Sequence, residues 1–434
     1  MYDLSVIGAG WAGFTAALEA RKKGLNVCLI EKDSVGGVCL HQGCIPTKAL
    51  VHSAKIASLS KKSEKFGINS EIKAVDFKKI QKRKQELINR LKKGIEFQLK
   101  NRGIDLISGT ASLKSSDCIA VGDQEIKTKI IIIATGSQSI ELPQLQFDGK
   151  TILSSKDLLS IDLIPKNLLI VGGGVIGCEF ASIFSTLGSK VTIVELLERI
   201  LPTEDKEISK KIEVSFKKRG VAVMTKTNVD SVEKKSFDAI LVCVGRKASI
   251  DSVNLANAGI KTERGSIVVD EFLRSNIPSI YAIGDCIGGF LLAHVAAYEG
   301  IVAANNIAGD NVKADYSTVP NCIFTEPEIS SVGLSEDQAR NKGYDTAVTK
   351  FNFLASGKAH ILDETDGFIK LIFDKSTKKI LGGSIVGPAA TELISVLTLA
   401  VKTELTIAQI HDTIFAHPTL SEGIAEAARE VYPL

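Results

Sequence analysis

The amino-acid sequence predicts an α/β fold: two doubly wound parallel-sheet units followed by a region of α+β type. Three observations carry this. An apolar run, Leu4–Ile7, leads into Gly8-Ala9-Gly10-Trp11-Ala12-Gly13, helical patterning to Ala20, and a second apolar run, Val27–Ile30, ending at Glu31. The same order recurs as Leu168–Val171, Gly172-Gly173-Gly174-Val175-Ile176-Gly177, a helix over Cys178–Leu187, and Val191–Val194 closing on Glu195. Beyond Asp315 the texture changes to alternating strands (Gly367–Phe373, Ile380–Val386) and a long apolar helix near Thr391–Val401, with no glycine-rich turn.

Strand, G-x-G-x-x-G, helix, strand and acid within about 30 residues is the pattern of a dinucleotide-binding unit. Gly8, Gly10 and Gly13 permit a tight turn and a close approach of backbone to a diphosphate held at the helix N-terminus. Glu31 is placed to accept hydrogen bonds from ribose hydroxyls. Trp11 is an unusual occupant of so crowded a turn. In the second unit, Gly172, Gly174 and Gly177 repeat the turn, and Glu195 repeats the acid. A carboxylate there favours a free ribose diol and repels a 2′-phosphate. Leu196 and Leu197 follow it, with Arg199 further on, so NAD is expected rather than NADP.

The 434 residues exceed one hydrophobic core, so two to four domains are expected. Basic and acidic residues nearly balance, 53 against 50, which predicts neither a nucleic-acid nor a membrane partner. No apolar run approaches the roughly 20 residues of a membrane span. The first apolar run begins almost at Met1, leaving no room for a targeting peptide. Eight cysteines lie without a framework of short spacings. A cytoplasmic protein is the expectation. Segment 61–100 carries thirteen basic and five acidic residues, but Ile80, Leu87, Ile88, Leu91, Ile95 and Leu99 recur at helical spacing, so a solvated amphipathic helix pair is expected there.

The stretch with the most chemistry is Gly36-Gly37-Val38-Cys39-Leu40-His41-Gln42-Gly43-Cys44-Ile45-Pro46-Thr47-Lys48. On a regular helix Cys39 and Cys44 would be separated by about 7.5 Å of rise, beyond the roughly 7 Å that a disulfide spans between Cα atoms. A bridge needs a break, which Gly43 and Pro46 suit. Proline favours a helix start, where free N–H groups and the helix dipole stabilise a thiolate at Cys44. Alone, the pair reads equally as two buried cysteines in a reducing compartment. Further on, Ile130–Ile133 runs into Ala134-Thr135-Gly136-Ser137, and Tyr281-Ala282-Ile283-Gly284-Asp285-Cys286 ends another strand at an aspartate that reads as a turn former or a cofactor ligand. His417-Pro418-Thr419-Leu420-Ser421-Glu422 joins an imidazole, able to trade protons near neutral pH, to a carboxylate that could orient it. By itself, His417 reads as structural or catalytic. Pro418 and its polar neighbours look like a helix start.

Taken together these motifs resemble the flavin-dependent pyridine nucleotide-disulfide oxidoreductases of class I, and within them the dihydrolipoyl dehydrogenases, over essentially the whole length. The resemblance implies an FAD-binding domain (residues 1–147 and 251–315), an NAD-binding domain (148–250) and an interface domain (316–434) that forms a homodimer with a shared active site. It implies that a dihydrolipoyl group, free or on a carrier protein of a 2-oxo acid dehydrogenase or glycine-cleavage assembly, is oxidised through a Cys39–Cys44 disulfide. Electrons then pass through FAD to NAD, with His417 as base, held by Glu422 and reaching the cysteines of the other subunit. Cofactor contacts implied by position are Gly37, Val38, Cys39, Lys48, Ala111, Thr135, Gly136, Ser137, Asp285, Leu292, Ala293 and His294, with Glu179, Val229 and Gly245 added around the second nucleotide. Lys48 is expected to pair with Glu179. No metal is implied. Departures are Trp11, where a small residue or proline is usual, and short stretches at Asp117–Lys127 and Val229–Ala239, as though hairpins had been trimmed. A C-terminus without redox cysteines disfavours mercuric and large thioredoxin reductases. Alternatives are a related NAD(P)H-dependent reductase of another disulfide or small oxidant, and a non-catalytic flavoprotein subunit.

Overall fold

A computed structural model describes residues 1–431; Tyr432, Pro433 and Leu434, which close the C-terminus noted above for its lack of redox cysteines, lie outside the described residues. The chain divides into two compact units, each assembled from separate segments: Met1–Leu50, Asp76–Leu163 and Val244–Ala314 in the first, and Val51–Val75, Ile164–Cys243 and Asp315–Leu434 in the second.

In the first unit the parallel strands run in the order Asp105–Ser108, Val27–Glu31, Tyr2–Ile7, Gln124–Ile133 and Ile280–Ala282. Near-continuous apolar runs such as Val27–Ile30 are what a parallel sheet covered on both faces demands. The long strand Gln124–Ile133 serves two sheets. Its end pairs with Tyr2–Ile7, and its start pairs antiparallel with Cys118–Val121, which continues to Ala111–Ser115. Helix Trp11–Lys22 buries Ala12, Ala16, Ala17 and Ala20. Such small side chains let helix Ala293–Ile307 approach closely: a Cβ on Gly300 would lie 2.6 Å from the Ala12 carbonyl oxygen. Segment 61–100 is not a helix pair. Within it, residues 67–76 carry no regular element and a single helix, Phe77–Asn101, holds the amphipathic pattern, capped by Asp76, which accepts from Lys79 N–H. Gly67, at φ +75°, ends the short turn Ser63–Phe66 that follows helix Cys44–Lys62.

The second unit holds a parallel sheet in the order Ala222–Met224, Lys190–Val194, Asn167–Val171 and Ala239–Val242, and a five-stranded antiparallel sheet. The latter runs Asn321–Ile323, Glu328–Gly333, Ile380–Gly387, Phe368–Asp374 and Thr346–Asn352. Helix Ala390–Lys402 buries Ile394, Leu397 and Ala400 in the core of this sheet. Between Val229 and Ala239 the chain makes two short 3₁₀ turns, Val229–Ser231 and Lys234–Ser236, and no hairpin. Pro418 does not begin a helix; that starts at Glu422. Among the described residues no helix is long and apolar enough to cross a membrane, and no group of three or more metal-ligating side chains occurs.

Candidate active site

The two glycine turns are built alike. Gly8 and Gly172 take φ of +104° and +110°, a region costly for any residue with a Cβ. A Cβ on Gly13 or Gly177 would sit 1.9 or 2.0 Å from the carbonyl oxygen of Gly8 or Gly172. The outer glycines are therefore demanded by the turn itself. The middle ones are not: a Cβ on Gly10 would meet only Gly37 Cα, at 4.0 Å, and one on Gly174 would meet nothing. Space left open at a helix N-terminus, lined by backbone, fits a diphosphate.

Both acids are tied to their turns. Glu31 accepts from Ala9 N–H at 2.7 Å and Asp33 N–H at 2.9 Å; Glu195 accepts from Gly173 and Leu197 N–H, each at 2.7 Å. Each carboxylate keeps lone pairs beyond these for a diol. Arg199 donates to the carbonyls of Pro202 and Glu204, so its guanidinium is engaged with backbone.

Around the first turn the structure gathers several predicted residues from distant segments. Gly109 N–H bonds the Glu31 carbonyl at 2.9 Å, which brings the strand beginning at Ala111 to the same sheet edge. A Cβ on Gly8 would press on Ala134 and Thr135. Thr135 Oγ1 is buried with no hydrogen-bond partner among the described residues, an unmet need that a bound cofactor would satisfy. Gly136 has φ +70°. Ser137 Oγ donates to Asp285 and accepts from Arg246 Nε at 2.8 Å, while Arg246 Nη2 donates to the Ser137 carbonyl at 2.7 Å. Asp285 lies in the turn Gly284–Ile287, whose Gly284 N–H is held by the buried Glu299 at 2.6 Å. Leu292 caps helix Ala293–Ile307, so Ala293 and His294 form its first turn. Gly245, at φ +136°, precedes Arg246 in this first unit. Arg246 was not predicted. The signal was its place after the apolar run Ala239–Val242 and Gly245.

Cys39 and Cys44 lie on different helices, Gly37–Gln42 and Cys44–Lys62, broken at Gly43. Gly37 has φ +57°, and its backbone touches Gly10 so closely that a Cβ would lie 2.7 Å from Gly10 Cα. The helix bearing Val38 and Cys39 thus begins against the first glycine turn. Both sulfurs are thiols in this structure. A hydrogen bond with Cys44 holds the Cys39 thiol well above its ordinary range; burial and the charge of Cys44 act the same way, against Trp11 and Lys48. Cys44 is the first residue of its helix, Cys44–Lys62, a position whose free N–H groups favour a thiolate.

In the second unit Glu179 lies buried on the turn's own helix, Val175–Leu187, and accepts from Phe324 N–H at 3.0 Å. Val229 is buried at the start of a 3₁₀ turn. His417 Nδ1 is 2.8 Å from Glu422 Oε1, and Thr419 N–H donates to Glu422 Oε2 at 2.8 Å. These two bonds, the backbone one first, hold the Glu422 carboxyl below its usual range. With 80% of its side chain exposed, the imidazole has its other nitrogen open to a reactant from outside the chain.

Two nucleotide turns, a thiol pair against one of them and an ordered imidazole define a dinucleotide-dependent thiol–disulfide oxidoreductase. Comparison with known proteins agrees. Residues 2–300 match the pyridine nucleotide-disulphide oxidoreductase family and residues 319–428 its dimerisation domain. The chain is 43% identical to the dihydrolipoyl dehydrogenase of Chlamydia pneumoniae, covering 98% of this chain and 96% of the relative, and 41% identical to one from Bacillus subtilis, covering 98% and 97%. Among solved structures it is similar to the HOCl-induced flavoprotein disulfide reductase RclA of Escherichia coli (TM-score 0.89, 32% identity, 99% and 100% covered). It is likewise similar to LpdA of Mycobacterium tuberculosis (TM-score 0.92, 29% identity, 99% and 100% covered). The chain belongs to the pyridine nucleotide-disulphide oxidoreductases. FAD and NAD are the cofactors this membership implies, and its dimerisation domain supports a homodimer.

Proposed function

We propose that this protein oxidises dihydrolipoyl groups to lipoyl groups by way of Cys39 and Cys44. The observation that carries the reading is the cysteine pair itself: Cys39 and Cys44 lie on two helices broken at Gly43, with Cys44 at a helix start where a thiolate is favoured. In the working direction the pair begins as a disulfide. A substrate thiolate attacks Cys39 Sγ, a substrate–Cys39 bond forms, and Cys44 leaves as a thiolate. The second substrate thiol gives its proton to His417 of the partner subunit, whose imidazole Glu422 orients. That thiolate then closes the lipoyl ring and expels Cys39.

FAD would be held by Gly8, Gly10, Gly13, Glu31, the 37–39 backbone, Lys48, Ala111, Thr135–Ser137, Asp285 and the 292–294 helix start. NAD would be held by Gly172, Gly174, Gly177, Glu179, Glu195, Val229 and Gly245. Bound together, these cofactors supply the two-electron sink that returns the dithiol to its disulfide. We assign residues 1–147 and 251–315 to the FAD domain, 148–250 to the NAD domain and 316–434 to the interface. Pairing of Lys48 with Glu179 belongs to the same proposal, as does a carrier-borne lipoyl group as the substrate.

Anaerobic mixing of the holoenzyme with dihydrolipoamide tests this. Rapid loss of oxidised-flavin absorbance followed by NADH formation is expected. Flavin that stays oxidised sinks the proposal. NADPH-driven reduction of a different disulfide, with no response to dihydrolipoamide, does so in favour of another reductase of the family.

A further inference from the structure

Two thiols hold the second glycine turn, and the first turn has no counterpart to them. Cys178, fully buried in the first turn of helix Val175–Leu187, donates to the Gly173 carbonyl at 3.4 Å, which also accepts from Leu201 N–H at 2.8 Å. Cys243, half-buried just after strand Ala239–Val242, donates to the carbonyls of Val171 and Gly172 at 3.5 and 3.4 Å. A carbonyl oxygen only accepts, so each sulfur carries its proton. Burial keeps it there, pushing the Cys243 thiol up to about 12 and the Cys178 thiol well above its ordinary value. At the matching positions the first turn has Phe14, after Gly13, and Ala134. Ala134 N–H bonds the Ile7 carbonyl at 2.8 Å, as Cys243 N–H bonds that of Val171 at 2.9 Å. A turn of this shape therefore forms without thiols, and the pair is a feature of the second site alone.

A peptide unit is planar and trans, so fixing a carbonyl also fixes the N–H that follows it, pointing the opposite way. Cys243 holds the Gly172 carbonyl, and the Gly173 N–H beyond it donates to Glu195 Oε2 at 2.7 Å. Cys178 and Leu201 hold the Gly173 carbonyl. The Gly174 N–H beyond that has no partner among the described residues and lies at the helix start, where a Cβ on Gly174 would meet nothing. We infer that Cys178 and Cys243 are positioning residues for NAD: their thiols lock two successive peptides of the second turn, so that one N–H steadies Glu195 for the ribose and the next faces the diphosphate. This rests on the assignment of NAD to the second turn made above.

The test titrates the parent, Cys178→Ala and Cys243→Ala, all as holoenzymes, with ADP-ribose by isothermal calorimetry. With FAD in place the first turn is filled, and ADP-ribose brings a ribose and a diphosphate without exchanging electrons. Each alanine variant is expected to bind roughly 2–10-fold more weakly, the usual net worth of one hydrogen bond. In steady-state oxidation of NADH by ferricyanide, KM for NADH should rise by the same factor, with kcat and flavin content kept. Cys243→Ser, which returns a donor on the same Cβ, should recover part of the loss. Affinities equal to the parent's in both alanine variants overturn the inference, as does a fall in kcat and flavin content alongside a raised KM. Should Cys178→Ala fail to fold, Cys243→Ala and Cys243→Ser give the same outcomes. A parent that binds no ADP-ribose removes NAD from the second turn and the inference with it. No dihydrolipoyl compound is used, so a dihydrolipoamide-inert enzyme leaves the result readable.

Discussion

Replacing Gly10 and Gly13 separately by alanine divides what the fold needs from what the ligand needs. At Gly13 the added methyl would stand 1.9 Å from the Gly8 carbonyl oxygen and 3.1 Å from a Val6 methyl. The turn must open by about 1.5 Å to restore ordinary contact. Overpacking of that kind costs about 1–3 kcal/mol, which lowers the melting temperature by roughly 2–4 °C per kcal/mol in a domain of 150–250 residues. At Gly10 the backbone is extended (φ −69°, ψ −177°), which alanine adopts freely. Its stiffening of the unfolded chain contributes about 0.4–1 kcal/mol, offset by alanine being the poorer N-cap, so the fold should change little. The methyl would instead fill the space left for the diphosphate. Flavin-free proteins would be melted, then titrated with FAD by flavin fluorescence. Gly10→Ala should melt with the parent and bind FAD at least 10-fold more weakly, whereas Gly13→Ala should melt several degrees lower. Equal melting losses in the two variants, or unaltered FAD binding by Gly10→Ala, would refute the reasoning.

Other consequences can be measured directly. Cys39→Ser should abolish dihydrolipoamide turnover while Cys44 remains open to alkylation; retained turnover would remove Cys39 from its role. His417→Gln should lower the rate roughly 10²–10⁴-fold, the usual loss of general acid–base help, with flavin content unchanged. Because Glu422 is held below the ordinary carboxylate range, the rate profile should show no inflection at ordinary carboxylate pH, and an inflection there would contradict this. The Lys370 side chain, only 3% exposed, lies 2.8, 3.3 and 3.1 Å from Asp205, Glu207 and Glu336. Lys370→Ala should destabilise by roughly 3 kcal/mol in denaturant melts, the low end for a broken buried pair because Glu207 and Glu336 keep contact with water. Burial opposes the Lys370 charge, but its three acids prevail and its affinity for a proton is raised. Its contribution should therefore be complete below the ordinary lysine value, about 10.4, and fade as pH climbs above it. Stability of the parent that is flat through that alkaline range would count against it.

Sequence alone carried the two nucleotide turns, their acids, the break at Gly43 and the His417–Glu422 pair. Each is set by residues a few positions apart, whose backbone preferences act before any long-range contact forms. Gly8 and Gly172 had to be glycine for their φ, and that requirement is readable wherever a strand runs into such a turn. The charge pattern of segment 61–100 misled in part, since helical spacing tells where a helix is favoured and not where chain without a repeating hydrogen-bond pattern begins. Only the tertiary structure brought Arg246 to Ser137, 109 positions away, and Asp285 to the same serine, 148 positions away. It alone set Gly37 against Gly10. Those meetings depend on which strands became neighbours and on two glycines letting two helix starts touch, and spacing along the chain does not encode them.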